Sequence, residues 1–197
     1  MTSPPRLTDR RALAQHRARA REDALFLHAA ARDEAQDRLA VVNRTFTQAA
    51  VVTPYARVWQ DAFPAARMVP DAETLEAGGE TLPLAEESLD LALSVLMLHW
   101  ANDPVGQLIQ MNRALRPDGL MIAALFGGRS LHELRAALAT AESEVAGGLS
   151  PRVAPMGEIR DLAALLQRAG FAMPVADAER LTVTYESPLH LMRELRA

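Results

Sequence analysis

The residues best suited to chemistry come at the end of a nearly continuous apolar run. His99, Trp100 and Asp103 follow residues 89–98, which read as a strand buried on both faces. A histidine can act as a general base near neutral pH, and a tryptophan can form an apolar wall beside a substrate. His99 and Trp100 are therefore the candidate catalytic residues, with Asp103 as a candidate substrate contact. The alternative is structural, with Trp100 in the core and His99 bonded to nearby backbone.

Two arginines follow pairs of glycines. Arg129 comes after Gly127-Gly128, and Arg152 comes shortly after Gly147-Gly148. A guanidinium group binds a carboxylate or a phosphate through two parallel hydrogen bonds, so both arginines are candidate substrate or anion contacts. Surface arginines are common, and ordinary exposed positions explain the pair as well.

The composition excludes several chemistries. The chain of 197 residues has no cysteine, and all 21 of its basic residues are arginine. Disulfides, thiolate zinc sites, cysteine nucleophiles and lysine Schiff bases are therefore excluded. The five histidines lack metal-ligand spacing, and no metal is expected.

Charge is distributed unevenly along the chain. The net charge is -4, yet six arginines crowd the first 21 residues. This cluster fits a solvated amphipathic helix, a contact with an anionic partner or a targeting segment. An apolar signal core is missing, and Asp9, Glu22 and Asp23 argue against a transit peptide, so we expect a cytoplasmic protein. Neither a membrane span nor a nucleic-acid partner is expected.

Apolar periodicity, proline and glycine divide the chain into alternating elements. The predicted strands are 49–52, 67–69, 89–98, 120–126, 171–175 and 180–185, the last two antiparallel. The predicted helices are 9–19, 23–42, 55–63, 104–115, 130–146, 158–169 and 187–197. A capping box of Ser130 and Glu133, a turn at 116–119 and a connection without strands at 72–80 complete the assignment.

This alternation predicts an α/β fold, a Rossmann-like doubly wound and mostly parallel sheet. An N-terminal helical segment, 1–42, precedes a Rossmann domain, 43–197, and the two are expected to form one structural unit. The chain ends within a predicted helix, which indicates either truncation or an oligomer that covers the exposed end.

Short motifs along the chain match one enzyme family. They are Leu82-Pro83-Leu84, 88–91, Leu98-His99-Trp100, 102–104, 115–119, 126–128 with Glu133-Leu134-Arg135, 147–151, 161–162 and 168–171. With them the chain resembles class I S-adenosylmethionine-dependent methyltransferases. Within these it is similar to the group that contains the mitochondrial complex I assembly factor 5, a methyltransferase-like arginine hydroxylase, and its bacterial relatives.

The resemblance implies S-adenosylmethionine as cofactor, but the chain departs from the family at the cofactor loop. Family members carry a DLGCGxG loop after the first strand, because glycine lets backbone amides approach the cofactor closely. The equivalent residues here are Thr53-Pro54-Tyr55-Ala56-Arg57. Asp71 matches the acidic residue that binds the ribose, and Gly78 or Gly79 replaces the one that approaches adenine. Thr53, Tyr55 and Asp71 are the implied cofactor contacts, in a cofactor half that is shorter than usual.

Two functions follow from this resemblance. The first is an S-adenosylmethionine-dependent methyltransferase-like protein that acts on a protein or small-molecule acceptor, with arginine hydroxylation as a related activity. The second is a non-catalytic descendant that has lost cofactor binding and binds a protein partner, for example during complex I assembly.

Overall fold

The structure is a computed structural model that describes residues 6–74, 79–150, 152–154 and 156–195. Its strands are β1 (Ala49–Val52), β2 (Arg67–Val69), β3 (Glu73–Thr74), β4 (Glu80–Thr81), β5 (Leu89–Val95) and β6 (Leu115–Ala124). Within the described residues, four of these strands form one parallel sheet in the order β2-β1-β5-β6. The predicted Rossmann-like α/β fold is confirmed.

The centre of the sheet is buried, as its sequence predicts. Every residue of β5 is buried, and Val51 of β1 lies in register with Leu93 on one side and Met68 on the other. Parallel strands covered on both faces need continuous apolar runs, which is what these two strands have. The chain passes from β1 to β2 and then crosses back to β5, so the order of strands reverses beside β1. Ligands of such sheets bind at the carboxyl ends of the strands near that reversal.

The helices flank this sheet. They are α1 (Arg10–Ala18), α2 (Phe26–Ala40), α3 (Ala56–Trp59), α4 (Pro104–Ala114), α5 (His132–Ala146), α6 (Ile159–Arg168) and α7 (Pro188–Glu194), with short 3₁₀ turns at Glu22–Ala24 and Leu98–Trp100. Asp9 caps α1, since its carboxylate accepts hydrogen bonds from the amides of Arg11 at 2.9 Å and Ala12 at 3.0 Å. Ala35 of α2 belongs to the same apolar cluster as Trp59. The division at residue 42 stays a prediction.

Three local predictions are wrong. Residues 72–80 include β3, which pairs with β4 in a short antiparallel ladder. β6 already begins at Leu115 and passes through 116–119 with a shift in its pairing to β5, and Asp118 takes the positive φ of 62°. The Ser130 hydroxyl donates to the Gly127 carbonyl at 2.8 Å, and α5 begins only at His132, so the capping box does not form.

The two strands predicted at 171–175 and 180–185 are absent, although the structure describes both segments. Val175 is 85 % exposed and Leu181 is 55 % exposed, so neither segment is paired into the sheet or buried. A β-branched run forms a strand only where another strand accepts its backbone bonds, and periodicity does not report that partner. The described part of the sheet ends at β6.

None of the described helices combines the length and the apolarity that a membrane crossing requires.

Candidate functional site

The loop after β1 satisfies its own amides. Thr53 is fully buried, and its amide donates to the Val69 carbonyl at 2.9 Å. The amide of Tyr55 donates to the Thr53 side-chain oxygen at 3.3 Å, and Pro54 has no amide to donate. The backbone donors at 53–55 are therefore engaged within the protein.

Tyr55 is packed against the N-terminal helices. Its ring meets the ring of His28 edge-on, with centroids 4.8 Å apart, and His28 is itself buried within α2. Burial raises the pKa of Tyr55, although the charges of Arg17 and Arg57 oppose that rise. The tyrosine thus fills space at the carboxyl end of β1 where family members have glycine.

Asp71, after β2, binds two arginines of α1. Arg10 Nη2 lies 2.7 Å from Asp71 Oδ2, and Arg17 Nη1 donates to the same oxygen. The other carboxylate oxygen accepts from the Ala72 amide at 2.7 Å. The implied ribose contact is therefore engaged on both oxygens.

Arg17 lies at the carboxyl edge of the sheet and makes several contacts there. In addition to Asp71, its guanidinium lies 3.4 Å from Met97 Sδ. Its charge adds to the burial that lowers the pKa values of His28 and His99, and it opposes the burial that raises the pKa of Tyr55. One side chain of α1 therefore contacts residues that follow β2 and β5.

The sequence analysis missed Arg10 and Arg17. The two arginines are seven residues apart, which is two helical turns, and they therefore share one face of α1. The spacing of the two arginines could have been recognised in the sequence, although it does not show which acidic residue this face of α1 contacts.

His99 follows β5 and lies beside two aromatic rings. Its ring is 5.1 Å from that of Trp100 and 4.9 Å from that of Phe126. Both ring nitrogens are buried, and neither has a hydrogen-bond partner among the described residues. Burial, then the charges of Arg17 and His28, lowers the pKa of His99 to about 4, so the imidazole is neutral at pH 7. The alternative of a local backbone contact is therefore wrong, and Trp100 is 37 % exposed rather than a core residue.

Asp103 performs a structural task beside the edge. Its carboxylate accepts from the Gly106 amide at 2.8 Å and caps α4. Its own amide donates to Glu80 Oε2 at 3.3 Å. No contact of Asp103 with Arg129 or Arg152 appears within the described residues.

Neither of the two candidate anion contacts binds a residue of this group within the described part of the chain. Arg152 pairs with Glu142 of α5 at 2.7 Å, beside a cavity of about 280 Å³ whose lining includes Arg135 and Leu149. Arg129 is exposed at the start of the turn before α5. Thr53, Tyr55, Asp71 and His99 thus follow β1, β2 and β5 at one edge of the sheet, while Arg152 pairs on α5.

Glu80, like Arg10 and Arg17, was not predicted from the sequence. It is buried and accepts from the Asn102 amide at 3.1 Å and from Gln107 Nε2 at 2.7 Å. Arg10 Nη1 lies 3.7 Å from Glu80 Oε1, which links Glu80 to Asp71 through one guanidinium. Gly78, one of the two positions assigned to adenine, lies outside the described residues.

No group of three or more metal-binding side chains is arranged around a common centre in the described part of the chain.

Comparison with known proteins finds similarity to methyltransferases. Residues 39–123 match the family model described as a methyltransferase domain. Of the solved structures, an S-adenosylmethionine-dependent methyltransferase of Thermotoga maritima superposes with a TM-score of 0.51 at 19 % identity, covering 77 % of this chain and 76 % of that one. This second likeness concerns the fold alone.

Curated proteins of two kinds are similar to this chain in sequence. Arginine-hydroxylase NDUFAF5, mitochondrial, is 43 % identical in Homo sapiens over 61 % of this chain and 35 % of that protein, and 42 % identical in Danio rerio over 64 % and 39 %. The malonyl-acyl-carrier-protein O-methyltransferase of Laribacter hongkongensis is 41 % identical over 60 % of this chain and 38 % of that protein. The chain thus spans less than about two fifths of these three relatives.

The match over residues 39–123 and the fold make this chain similar to class I S-adenosylmethionine-dependent methyltransferases. Its relatives include the NDUFAF5 arginine hydroxylases and bacterial O-methyltransferases. The prediction of a cytoplasmic protein is contradicted, because the NDUFAF5 relatives are mitochondrial.

Proposed function

We propose that this methyltransferase-like protein binds S-adenosylmethionine at the carboxyl edge of β1, β2 and β5 and acts on a protein or small-molecule acceptor. The observation that carries the proposal is the convergence of Thr53, Asp71 and His99 at that edge, where the strand order reverses. A buried imidazole without a partner is costly to maintain, and a ligand at this edge would give it one.

The fit of the edge to the cofactor is uneven. The carboxylate of Asp71 suits a pair of ribose hydroxyls, but it is occupied by Arg10 and Arg17. The loop at 53–55 does not suit the methionyl part, because its donors are used internally and Tyr55 fills the space. We therefore assign Asp71 to the ribose and give the loop no contact with the methionyl carboxylate.

The proposed catalytic role belongs to His99. When bound, the cofactor supplies an electrophilic methyl group. The imidazole is neutral at pH 7 and can therefore accept the proton that a nucleophilic acceptor releases, although a pKa of about 4 makes it a weak base. Trp100, beside it and partly exposed, can form the apolar wall against which an acceptor lies.

A titration of the full chain with S-adenosylhomocysteine tests the proposal. A ligand at 100 times its dissociation constant stabilises the folded state by about 2.7 kcal/mol, which a thermal-shift assay detects. Asp71→Asn should weaken that response, because an amide cannot accept two hydroxyl donors as a carboxylate does. Asp118→Asn, at an exposed aspartate, is the matched control. Absence of a saturable shift up to millimolar ligand in the wild type would overturn the proposal.

A second candidate is a non-catalytic partner-binding protein. The engaged amides of the 53–55 loop favour it, since they cannot bind a cofactor as the glycine loop does. Such a protein would use exposed arginines, Arg11 of α1 and Arg19 just after it, on an acidic partner surface, and the similarity to NDUFAF5 suggests complex I assembly as the setting. Charge reversal at both positions should then abolish a salt-sensitive complex with that partner. Titration with the cofactor should produce no thermal shift.

A further inference from the structure

Helix α1 is fastened across the carboxyl edge of the sheet at two places. At its start, the amides of Leu7 and Thr8 donate to Asn102 Oδ1 at 2.8 and 2.9 Å, and Asn102 Nδ2 returns a bond to the Thr8 carbonyl. Two turns further along, Arg17 binds Asp71. The first attachment is to the loop after β5, and the second is to the end of β2.

Apolar packing holds α1 only lightly. Within α1, all of which the structure describes, Leu13 is the one buried residue. Segments with little buried apolar area open at a smaller free-energy cost than the core does. The ion pairs to Asp71 therefore carry a large share of the attachment of this helix to the sheet.

The same ion pairs compete with a ribose. Asp71 Oδ2 accepts from both Arg10 and Arg17, while Oδ1 accepts from the Ala72 amide. A ribose that approaches with two hydroxyl donors needs both oxygens, so at least one arginine must leave first. Of the two arginines, Arg17 also contacts Met97, which follows β5 at the carboxyl edge of the sheet.

We propose that α1 is a lid and that Arg17, with Arg10, is its latch on Asp71. The closed lid denies the ribose position to a nucleoside ligand, and opening it exposes the edge. This inference rests on the proposed cofactor site and adds a means of regulating it. An anionic partner that draws the two arginines away would release Asp71 and so favour ligand binding.

The test compares two double variants of the full chain by calorimetric titration with S-adenosylhomocysteine. Arg10→Gln with Arg17→Gln removes the latch. Arg11→Gln with Arg19→Gln removes the same charge from exposed positions of the same segment. The latch variant should bind about fivefold or more tightly than the wild type, within the usual range of coupling between sites, and the control should bind as the wild type does. Circular dichroism checks that both fold, and Arg17→Gln alone replaces the double variant if that one does not.

Amide hydrogen exchange of residues 10–18 supplies a second readout. The latch variant should exchange faster than the wild type without ligand, and ligand should accelerate exchange in the wild type as the lid opens.

The outcomes separate the lid from the cofactor site. Tighter binding by the latch variant, or binding by that variant alone, supports both. Equal or weaker binding overturns the lid and leaves the site standing, whereas no binding by either protein overturns both. Slower exchange of α1 in the liganded wild type would also overturn the lid, because the helix would then close onto its ligand.

Discussion

The ring of His28 meets the ring of Tyr55 edge-on, with centroids 4.8 Å apart, and thereby joins α2 to the loop after β1. This contact occupies the place where the family carries a glycine-rich loop. It explains how the chain tolerates a bulky residue there, since the tyrosine is packed by a neighbouring helix instead of projecting into an empty cleft.

A double-mutant cycle on His28 and Tyr55 should reveal their coupling. Replacing each with alanine, singly and together, should give an interaction free energy of about 0.5 to 1.5 kcal/mol, the usual value for an edge-to-face pair. Urea unfolding measures the four stabilities. The pair of Tyr185 and the exposed His190, with centroids 5.8 Å apart, is the control and should couple less. Absence of coupling between His28 and Tyr55 would mean that their contact does not stabilise the loop.

Stability should fall as the solution is acidified from pH 6.5 towards pH 4. Burial, then the charge of Arg17, lowers the pKa values of His28 and His99 to about 4, against about 6.5 in an unfolded chain. Below pH 6.5 the unfolded chain takes up protons that the folded chain does not, so the histidines favour unfolding there and not above it. The cost should reach about 2 kcal/mol per histidine at pH 5.

The variant His99→Phe isolates one of these two contributions. Phenylalanine keeps an aromatic ring beside Trp100 and Phe126 but does not titrate. Urea unfolding at pH 7 and pH 5 should show about half the wild-type loss of stability. A variant whose loss is as steep as that of the wild type would show that His99 is not buried in its neutral form.

Asp90 should be needed for stability rather than for function. Its buried carboxylate accepts from the Thr47 amide at 2.7 Å, the Thr47 hydroxyl at 3.0 Å and the Gln48 amide at 2.9 Å. Burial raises the pKa of Asp90, but these three bonds outweigh it and the net pKa is lowered. The stabilisation is therefore present above the unfolded pKa near 3.9 and is lost as pH falls through the folded value.

The substitution Asp90→Asn should cost about 1 to 3 kcal/mol at pH 7, because an amide group turned towards two backbone donors leaves one of them unsatisfied. Chemical denaturation measures the loss. Asp61→Asn, at an exposed aspartate, serves as the control and should change little. A neutral effect at Asp90 would contradict the three hydrogen bonds.

Asp103 should act as a helix cap and not as a substrate contact. Asp103→Ala should lower the free energy of unfolding by roughly 0.5 to 2 kcal/mol, because the Gly106 amide loses its acceptor. Asp103→Asn should restore nearly all of it, since asparagine caps as well as aspartate. If alanine instead leaves stability unchanged and lowers activity in a methyl-transfer assay, the original assignment to the substrate holds.

The main elements could be predicted because their signals are local. The apolar run that becomes β5 and the capping aspartate before α1 act over a few residues, so their sequence neighbours are enough. The run at 180–185 carries a similar local signal but does not form a strand, since pairing depends on an edge that is distant in sequence.

The positions of the candidate residues in the fold could be predicted in part, while their roles stay a prediction. Asp71, Thr53 and Tyr55 could be placed at the ends of β1 and β2 from the family's motif order, and His99 from its position after β5. The partners of Asp71 could not be predicted, because Arg17 is 54 residues away and the chain has 25 acidic side chains for its 21 arginines. Local patterns do not choose among so many pairs.

By itself, the sequence determined most of the alternating elements, the similarity to methyltransferases, and the replacement of the glycine loop by Thr53-Pro54-Tyr55. These depend on residue identity and on short-range order. Only the tertiary structure decided that the amides at 53–55 bond inside the protein, that α1 crosses the sheet edge, and that Arg10 and Arg17 engage Asp71. The physical reason is that hydrogen bonds and ion pairs act over a few ångströms in space, and folding alone brings residues so distant in the chain within that range.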